Sequence, residues 1–375
     1  MPRRLVVELS ETASLGHEAW VQARERADFA HYRPWLEKML GLKRKVAEIV
    51  GHEGSIYNAL LDEYEPYALV EEIAPLFSEL RQYLASLVAK ISAAQRQPPA
   101  VLDQPFPIAQ QEQFGRRIMA AMGFDLDAGR LDVSVHPFCS GIGPEDVRLT
   151  TRYDENGFTQ SLFGIIHETG HGLYEQGLPS EAGTLPAGRA VSLGVHESQS
   201  RLWENVIGRS RPFWSHYLPA LRETFPAQLD GIDLEAFYRA INRVEPSLIR
   251  VEADEVTYNL HILLRFELER ELLAGELAVA ELPDSWNQRM EAYLGIRPPD
   301  DALGVLQDVH WALGLFGYFP TYTLGNLYAA QFYERALDEL PELTAQVSRG
   351  ELLPLKAWLN RKIHQRGSRL KASDL

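Results

Sequence analysis

The pentapeptide HETGH, residues 167–171, holds the side chains of this 375-residue sequence that are best suited to chemistry. His167 and His171 are four positions apart, so on a helix both imidazoles share one face and can bind one cation, with Glu168 beside them. Zinc suits imidazole nitrogens, and a catalytic zinc site keeps one position for water. The metal acidifies that water and polarises a carbonyl group, while the glutamate takes the proton. The pattern therefore predicts metal-assisted hydrolysis.

The sequence around HETGH favours a metal site over two incidental histidines on a solvated helix face. The surrounding segment, SLFGIIHETGHGLYEQGL, is apolar, and polar groups placed in it must find partners. Gly170 and Gly172 each lower helix propensity by up to about 1 kcal/mol. This cost is more easily understood where something must approach the helix closely.

A third ligand is predicted at Glu197, 26 positions after His171, on a second helical pattern over residues 190–206. A helix-borne carboxylate downstream of HExxH is the gluzincin arrangement. Arg201 lies four residues after Glu197 and offers a salt bridge as the alternative role. His196 is also available as a ligand. It points about 100° away from Glu197 around the helix, so both cannot easily face the metal, and Glu197 is preferred.

Most of the chain has the apolar spacing of three and four residues that is typical of helices. The helical patterns cover residues 15–50, 67–91, 109–122, 158–175, 234–241 and 256–273. Residues 131–135 (LDVSV) and 147–151 (VRLTT) instead alternate around the turn-like CSGIGPED, which predicts two short strands paired as a hairpin. We therefore expect a mainly α fold with one small β-sheet next to the HExxH helix, forming a single catalytic domain over residues 1–375.

Composition excludes several classes of function. The formal charge of −15 argues against nucleic-acid binding, because phosphates need a basic surface. The sequence contains no uninterrupted run of about 18 apolar residues, the length that a membrane span requires. The N-terminus also lacks a signal-peptide core, so we expect a soluble, cytoplasmic protein. The single cysteine, Cys139, cannot form an intramolecular disulfide, and a small buried thiol is preferred to a nucleophile.

Six motifs in order resemble the M32 carboxypeptidases, the family named after Taq-type thermostable enzymes. They are HPF (136–138), DVRLT (146–150), HETGH (167–171), HESQ (196–199), IRVEAD (249–254) and GVLQDVHW (304–311). The resemblance implies an elongated helical fold with a central groove and release of C-terminal residues from peptides with broad specificity. It also implies a metal site of two histidines and a glutamate, activation by Zn²⁺ or Co²⁺, and a homodimer.

An enzyme of this kind must recognise the free C-terminal carboxylate of its peptide substrate, and arginine does so with two parallel hydrogen bonds. Arg250 in IRVEAD is the leading candidate and Arg148 in DVRLT the second. The alternative for either arginine is an internal salt bridge, with Glu252 or Asp254 for Arg250 and with Asp146 for Arg148.

Three further residues in these motifs are candidates for contact with the substrate. His136 precedes a proline at the end of a predicted strand, an extended position that can present its side chain to a groove. His310 is a candidate to hydrogen-bond the substrate or the developing oxyanion, although both histidines could equally be satisfied core residues. Tyr322 resembles the tyrosine with which gluzincins stabilise the tetrahedral intermediate, with Tyr318 as its rival.

Two departures from the family pattern are expected to affect the groove rather than the metal ligands. Known members carry a helical segment before the point where this chain begins, and they continue beyond its last residue, Leu375. This short form leaves open an endo- or oligopeptidase whose groove is open at both ends. A non-catalytic peptide-binding scaffold is a third possibility, but Glu168 and the three metal ligands are all present.

Overall fold

The computed structural model describes residues 1–94, 100–143, 145–182 and 185–375, and this part of the chain is mainly helical with one small sheet, as predicted. The chain forms two compact units, each made of two separate stretches. Unit 1 comprises Met1–Gln95 and Val244–Thr323, and unit 2 comprises Arg96–Arg243 and Leu324–Leu375. Among the described residues, no helix combines the length and the apolar character that a membrane span requires.

The helices and strands are numbered along the chain. The helices are α1 (Arg3–Arg26), α2 (Phe29–Val50), α3 (Asn58–Leu61), α4 (Val70–Ala93), α5 (Ile108–Met122), α6 (Phe158–Gly177), α7 (Leu193–Arg201), α8 (Arg211–Thr224), α9 (Pro226–Leu229), α10 (Leu234–Ile241), α11 (Tyr258–Ala274), α12 (Leu282–Leu294), α13 (Pro320–Glu339), α14 (Leu343–Ser348) and α15 (Leu353–Lys362). The strands are β1 (Gly129–Val133), β2 (Cys139–Gly143) and β3 (Asp146–Thr151).

The predicted long helix over residues 15–50 is two helices, α1 and α2. Ala27 ends α1 in the left-handed region with φ 51°, and its N–H is bonded to carbonyls of the last turn. The Asp28 side chain then accepts a hydrogen bond from the His31 N–H and caps α2. The two helices pack against each other.

Helix α11 forms the centre of unit 1 and buries polar as well as apolar side chains. His261, Arg265 and Glu269 are spaced four residues apart, so they share one helix face, and all three are fully buried. Buried charged groups need partners. Glu269 accepts hydrogen bonds from the Tyr57 hydroxyl at 2.6 Å and from Trp311 Nε1 at 2.8 Å. The backbone N–H of Gly317 donates to the same carboxylate at 3.1 Å, so Glu269 holds both ends of the 311–317 loop.

Glu269 should make the free energy of unfolding of this protein depend on pH. Burial raises the pKa of Glu269 to about 7, above its ordinary value of 4.5. Between these two values the folded protein retains a proton that the unfolded chain releases, so stability falls as pH rises, by about 3 kcal/mol for this group. Glu269→Gln removes the titration. The free energy of unfolding of the wild type minus that of Glu269→Gln should therefore decrease by this amount from pH 4.5 to 7. A difference that stays constant with pH, as expected for the exposed Glu276→Gln control, would contradict the prediction.

Unit 2 contains the sheet and a large apolar core around α6. The strand order is β1-β3-β2, with β1 parallel and β2 antiparallel to β3. The predicted hairpin between residues 131–135 and 147–151 is therefore wrong, because these strands are parallel neighbours and the hairpin partner of β3 is β2. The glycine-rich sequence of β2 is typical of a turn, so the sequence alone does not predict this strand. Cys139 lies half-buried on β2, and burial raises the pKa of its thiol, which agrees with an unreactive cysteine.

Unit 2 also shows how the predicted helix over residues 190–206 is built. It begins at α7, where the Ser192 side chain accepts a hydrogen bond from the Val195 N–H. Directly after α7 the chain continues as a π-helical segment, Leu202–Ile207. Both segments pack against α6.

Candidate active site

Helices α6 and α7 of unit 2 bring the three predicted metal ligands together. His171 Nε2 lies 3.4 Å and His167 Nε2 lies 3.8 Å from Oε2 of Glu197. One nitrogen or oxygen atom from each residue falls within 4.8 Å of the others. Two imidazole nitrogens and one carboxylate oxygen converging on one point are a donor set that suits Zn²⁺. The residues present therefore fit a catalytic metal site.

The glycines of the HETGH segment allow neighbouring elements to approach α6 closely. A β-carbon at Gly170 would lie 2.7 Å from both the Gln199 carbonyl oxygen and Ser200 Cα on α7. A β-carbon at Gly172 would lie 2.6 Å from the Phe124 ring. These distances are shorter than van der Waals contact, so the spacing between α6 and α7 depends on glycine at position 170.

Each ligand histidine has a partner at its other ring nitrogen. His167 Nδ1 lies 2.8 Å from Oε2 of Glu204, and His171 Nδ1 lies 2.6 Å from Nδ1 of His196. His196 Nε2 in turn lies 2.7 Å from Oε1 of Glu175. If Nε2 of His171 binds a metal, its Nδ1 carries the ring proton and donates a hydrogen bond to Nδ1 of His196. Nε2 of His196 then carries a proton and donates a hydrogen bond to Glu175. His196 is thus engaged in orienting a ligand and does not face the metal position.

Glu197 forms the salt bridge with Arg201 that was considered as its alternative role, and its other carboxylate oxygen still faces the two histidines. Arg201 Nε donates to Oε1 of Glu197 at 2.7 Å, and Oε2 is left facing the histidines. Burial acts to raise the pKa of Glu197, but Arg201 and His167 outweigh it and hold that pKa well below its usual range. Glu197 is therefore ionised and can serve as a ligand at neutral pH.

Glu168 lies beside the ligands and is 7% exposed. Among the described residues, none provides a hydrogen-bond partner for its buried Oε2 atom. Burial raises the pKa of Glu168 to about 7 and lowers the pKa of His171 to about 4. A buried carboxylate oxygen without a partner is what a group that binds and deprotonates water would present.

Removing the imidazole of His196 should weaken metal binding without removing a ligand. In His196→Ala, His171 loses the acceptor that fixes its tautomer and ring orientation. We expect the metal dissociation constant to rise by about 10–100-fold, a typical effect of losing such an outer partner. Competition with a chromophoric chelator measures this constant. The exposed His216→Ala provides the control, and equal affinities in the two variants would contradict the role of His196.

Arg250 and His310 lie in a buried polar cluster of unit 1. Arg250 is 5% exposed, and its Nε and Nη2 donate to Oδ1 of Asp308 at 3.0 and 2.7 Å. Its Nη1 donates to the Tyr258 hydroxyl at 3.1 Å. His310 Nε2 lies 3.3 Å from the Tyr322 hydroxyl. Arg250 thus has an internal carboxylate partner, and this partner is Asp308, not Glu252 or Asp254.

The two remaining predicted residues, Arg148 and His136, are exposed in unit 2. Arg148 lies on β3, and its Nη2 is 2.8 Å from Oδ2 of Asp146. The Arg148 side chain is 52% exposed, so the internal salt bridge considered for it is present but lies at the surface. His136 follows the end of β1, in agreement with its predicted place after a strand.

Several residues of these clusters were missed by reasoning from the sequence. Asp308 lies within QDVHW, so its motif contained a signal, but its partner Arg250 is 58 positions away. Glu175 and Glu204 lie on helices near HETGH and HESQ, where helix geometry alone does not identify which carboxylate meets which histidine. Arg265 lies in no motif, and its burial on α11 identifies it.

The sequence matches the family described as Carboxypeptidase Taq (M32) metallopeptidase over residues 1–375. It is 49% identical over 381 residues to Thermostable carboxypeptidase 1 of Thermus thermophilus, covering 99% of this chain and 74% of that relative. The crystal structure of an M32 carboxypeptidase from Deinococcus radiodurans is 42% identical, with a TM-score of 0.97 over 100% of this chain and 76% of that chain. Trypanosoma cruzi metallocarboxypeptidase 1 is 40% identical, with a TM-score of 0.94 and the same coverage. This chain therefore belongs to the M32 family of metallocarboxypeptidases.

Proposed function

We propose that this protein is a zinc-dependent carboxypeptidase that releases C-terminal amino acids from peptides with broad specificity. The observation that carries the proposal is the convergence of His167, His171 and Glu197, with the unpartnered Glu168 carboxylate oxygen beside them. This set of side chains is suited to hydrolysis of a peptide bond.

The proposed roles follow from the donors and acceptors that each residue offers. A divalent cation held by the two histidines and Glu197 would polarise the scissile carbonyl and acidify a water molecule. Glu168 takes a proton from the attacking water and delivers it to the leaving amine. Tyr322 donates its hydroxyl hydrogen bond to the developing oxyanion, and His310, 3.3 Å from that hydroxyl, assists it.

Recognition of the free C-terminus is assigned to Arg250, with Arg148 and His136 as further substrate contacts. Burial acts to lower the pKa of Arg250, but Asp308 outweighs it and raises that pKa, so the guanidinium is charged at any pH of interest. Its pairing with Asp308 leaves the arginine oriented, and the aromatic rings of Tyr322 and Phe319 lie 5.1 and 5.8 Å from its guanidinium carbon. A rigidly held guanidinium is suited to bidentate binding of a carboxylate.

The finer proposals concern the metal, the assembly and the compartment. We propose Zn²⁺ as the native ion, with Co²⁺ as a substitute, because imidazole and carboxylate ligands suit both. We also propose that residues 1–375 act as one catalytic domain, that the protein is a homodimer, and that it is cytoplasmic. The formal charge of −15 makes nucleic acid an improbable partner.

Cleavage of matched peptides tests the proposed function. Protein reconstituted with Zn²⁺ is incubated with a blocked dipeptide and with the same peptide amidated at its C-terminus. Release of the terminal residue from the free acid, with at least tenfold slower cleavage of the amide, is the expected result. Equal cleavage of both, or internal cleavage of longer amidated peptides, would favour the endo- or oligopeptidase, and no cleavage would favour the non-catalytic scaffold.

Metal analysis should find one zinc ion per chain in the wild type and far less in His171→Ala. The variant keeps two of the three ligands, but a site of one histidine and one carboxylate binds zinc weakly. Elemental analysis of both proteins after gel filtration measures the content. Undiminished zinc in His171→Ala would remove His171 from the site, and loss of the ion in the exposed control His216→Ala would indicate an unspecific effect.

A further inference from the structure

Arg265 of unit 1 binds the same carboxylate as Arg250, that of Asp308. Its Nε donates to Oδ2 of Asp308 at 2.6 Å, whereas Arg250 uses Oδ1. Arg265 is fully buried, and its guanidinium carbon lies 4.5 Å from the centre of the Trp286 ring. One carboxylate therefore binds two buried guanidinium groups, one on each oxygen atom.

The charges of this cluster do not cancel. Burial lowers the pKa of Arg265 to about 10, so it remains protonated at neutral pH. Burial, with the two arginines contributing, lowers the pKa of His310 to about 4 and that of His261 to about 3, so both imidazoles are neutral. Among the described residues of this cluster, two positive charges thus face the one negative charge of Asp308, which leaves one net positive charge in a buried place.

A buried arginine with a single carboxylate partner forms a neutral pair, and such a pair attracts a further carboxylate weakly. Arg265 changes this balance because it engages the second oxygen of Asp308 and offsets its charge. Arg250 then keeps the fixed orientation that Asp308 provides without losing its attraction for anions. Removal of Arg265 would leave Arg250 and Asp308 in place but reduce the net charge of the cluster to zero.

We propose that Arg265 is a positioning residue for substrate recognition, which acts through Asp308 to keep the Arg250 guanidinium available to the C-terminal carboxylate of the peptide. The inference rests on the proposed function, because it assumes that Arg250 binds that carboxylate. Arg265 itself is fully buried and is not assigned any contact with the substrate.

Arg265→Met tests the role of the charge, because methionine keeps an unbranched side chain in the cavity. KM for a free-acid peptide is expected to rise about tenfold or more, with a much smaller change in kcat and in the residual cleavage of the amidated peptide. The matched control is Arg289→Met, which removes an arginine of the same unit whose Nη2 donates to Glu271 at 2.6 Å. Its KM for the free acid should stay within threefold of the wild-type value.

Arg265→Lys supplies a second measurement that does not depend on Arg265→Met folding. Lysine retains the charge, so its KM near pH 6 is expected to approach the wild-type value. Because a buried lysine beside another cation loses its proton more easily, this KM should rise with pH relative to the wild type. A structural role alone gives no such pH dependence.

The outcomes separate this inference from the function on which it rests. An increase in KM in Arg250→Ala, together with a wild-type KM in Arg265→Met or a pH-independent KM ratio in Arg265→Lys, would overturn the role of Arg265 and leave the function standing. An unchanged KM in Arg250→Ala would overturn the role of Arg265 together with the assignment of carboxylate recognition to Arg250, whereas the carboxypeptidase function is decided by cleavage of the free-acid and amidated peptides. Equal loss on the acid and amide substrates in Arg265→Met would assign Arg265 to structure alone.

Discussion

Glu168→Gln is expected to retain its metal and to lose about 10²–10⁴-fold in kcat, the usual contribution of a general base. The carboxamide has nearly the shape of the carboxylate but cannot accept a proton at neutral pH. Glu168 is not a ligand in the arrangement of His167, His171 and Glu197, so the ion should stay bound. Turnover at saturating metal and peptide, with metal content measured on the same samples, tests the prediction.

The matched control for this variant is Glu181→Gln, because the Glu181 side chain is 70% exposed and lies in the same unit. Its kcat should equal that of the wild type. If Glu168→Gln retained near-wild-type kcat with a full complement of metal, another group would have to take the proton. Loss of the metal in Glu168→Gln would instead indicate that the carboxylate supports the site itself.

Arg250→Ala should lower kcat/KM for free-acid peptides by about 2–5 kcal/mol, roughly 30- to 5,000-fold, mainly through KM. The lost interaction is a charge-assisted pair with the terminal carboxylate. Peptides amidated at the C-terminus never form this pair, so their residual cleavage should change little. Kinetics on the two substrates, with a melting temperature for each variant, test the prediction.

The contacts of Asp308 sharpen the interpretation of this variant. A buried carboxylate that loses its partner is strongly destabilising, but Asp308 keeps Arg265 at 2.6 Å when Arg250 is removed. The loss of stability should therefore be moderate. Arg148→Ala, at an arginine that is 52% exposed, is expected to have a smaller effect on KM. Equal losses on acid and amide in Arg250→Ala, with a much lower melting temperature, would rule out recognition and favour the oligopeptidase.

Local rules predicted the helices of this chain well and its sheet poorly. The spacing of apolar residues reproduces α10 at both ends, because a helix is specified by residues near in sequence. The pairing of β1 with β3 joins Leu131 to Leu149 across a parallel register, which turn chemistry does not determine. Strand β2 was missed because its glycines resemble a turn and its sheet contacts alone make it a strand.

The same distinction applies to the candidate site. The three candidate metal ligands could be predicted because HExxH places two of them on one helix turn and a helical glutamate follows downstream, and the structure brings all three together. The six motifs also indicated the metallocarboxypeptidase family, which the family match confirms. Asp308, Arg265 and Glu204 were not predicted as partners. Each of these residues pairs with a residue in a distant segment of the chain. The local spacing of residues does not indicate which buried charged groups form a pair.

Gly170 has a consequence for engineering this protein. Exchanging a helical glycine for alanine is a common route to higher melting temperature, with a gain of up to about 1 kcal/mol in helix propensity. At position 170 the added methyl group would lie 2.7 Å from backbone atoms of Gln199 and Ser200 and would force α7 away from α6. Since α7 carries Glu197, the alanine variant would increase the helix propensity of α6 but move Glu197 away from His167 and His171. Gly170 is therefore not a position at which this exchange can raise thermal tolerance, whereas at Gly164 on the same helix an added β-carbon would lie 4.0 Å from Thr151 Oγ1.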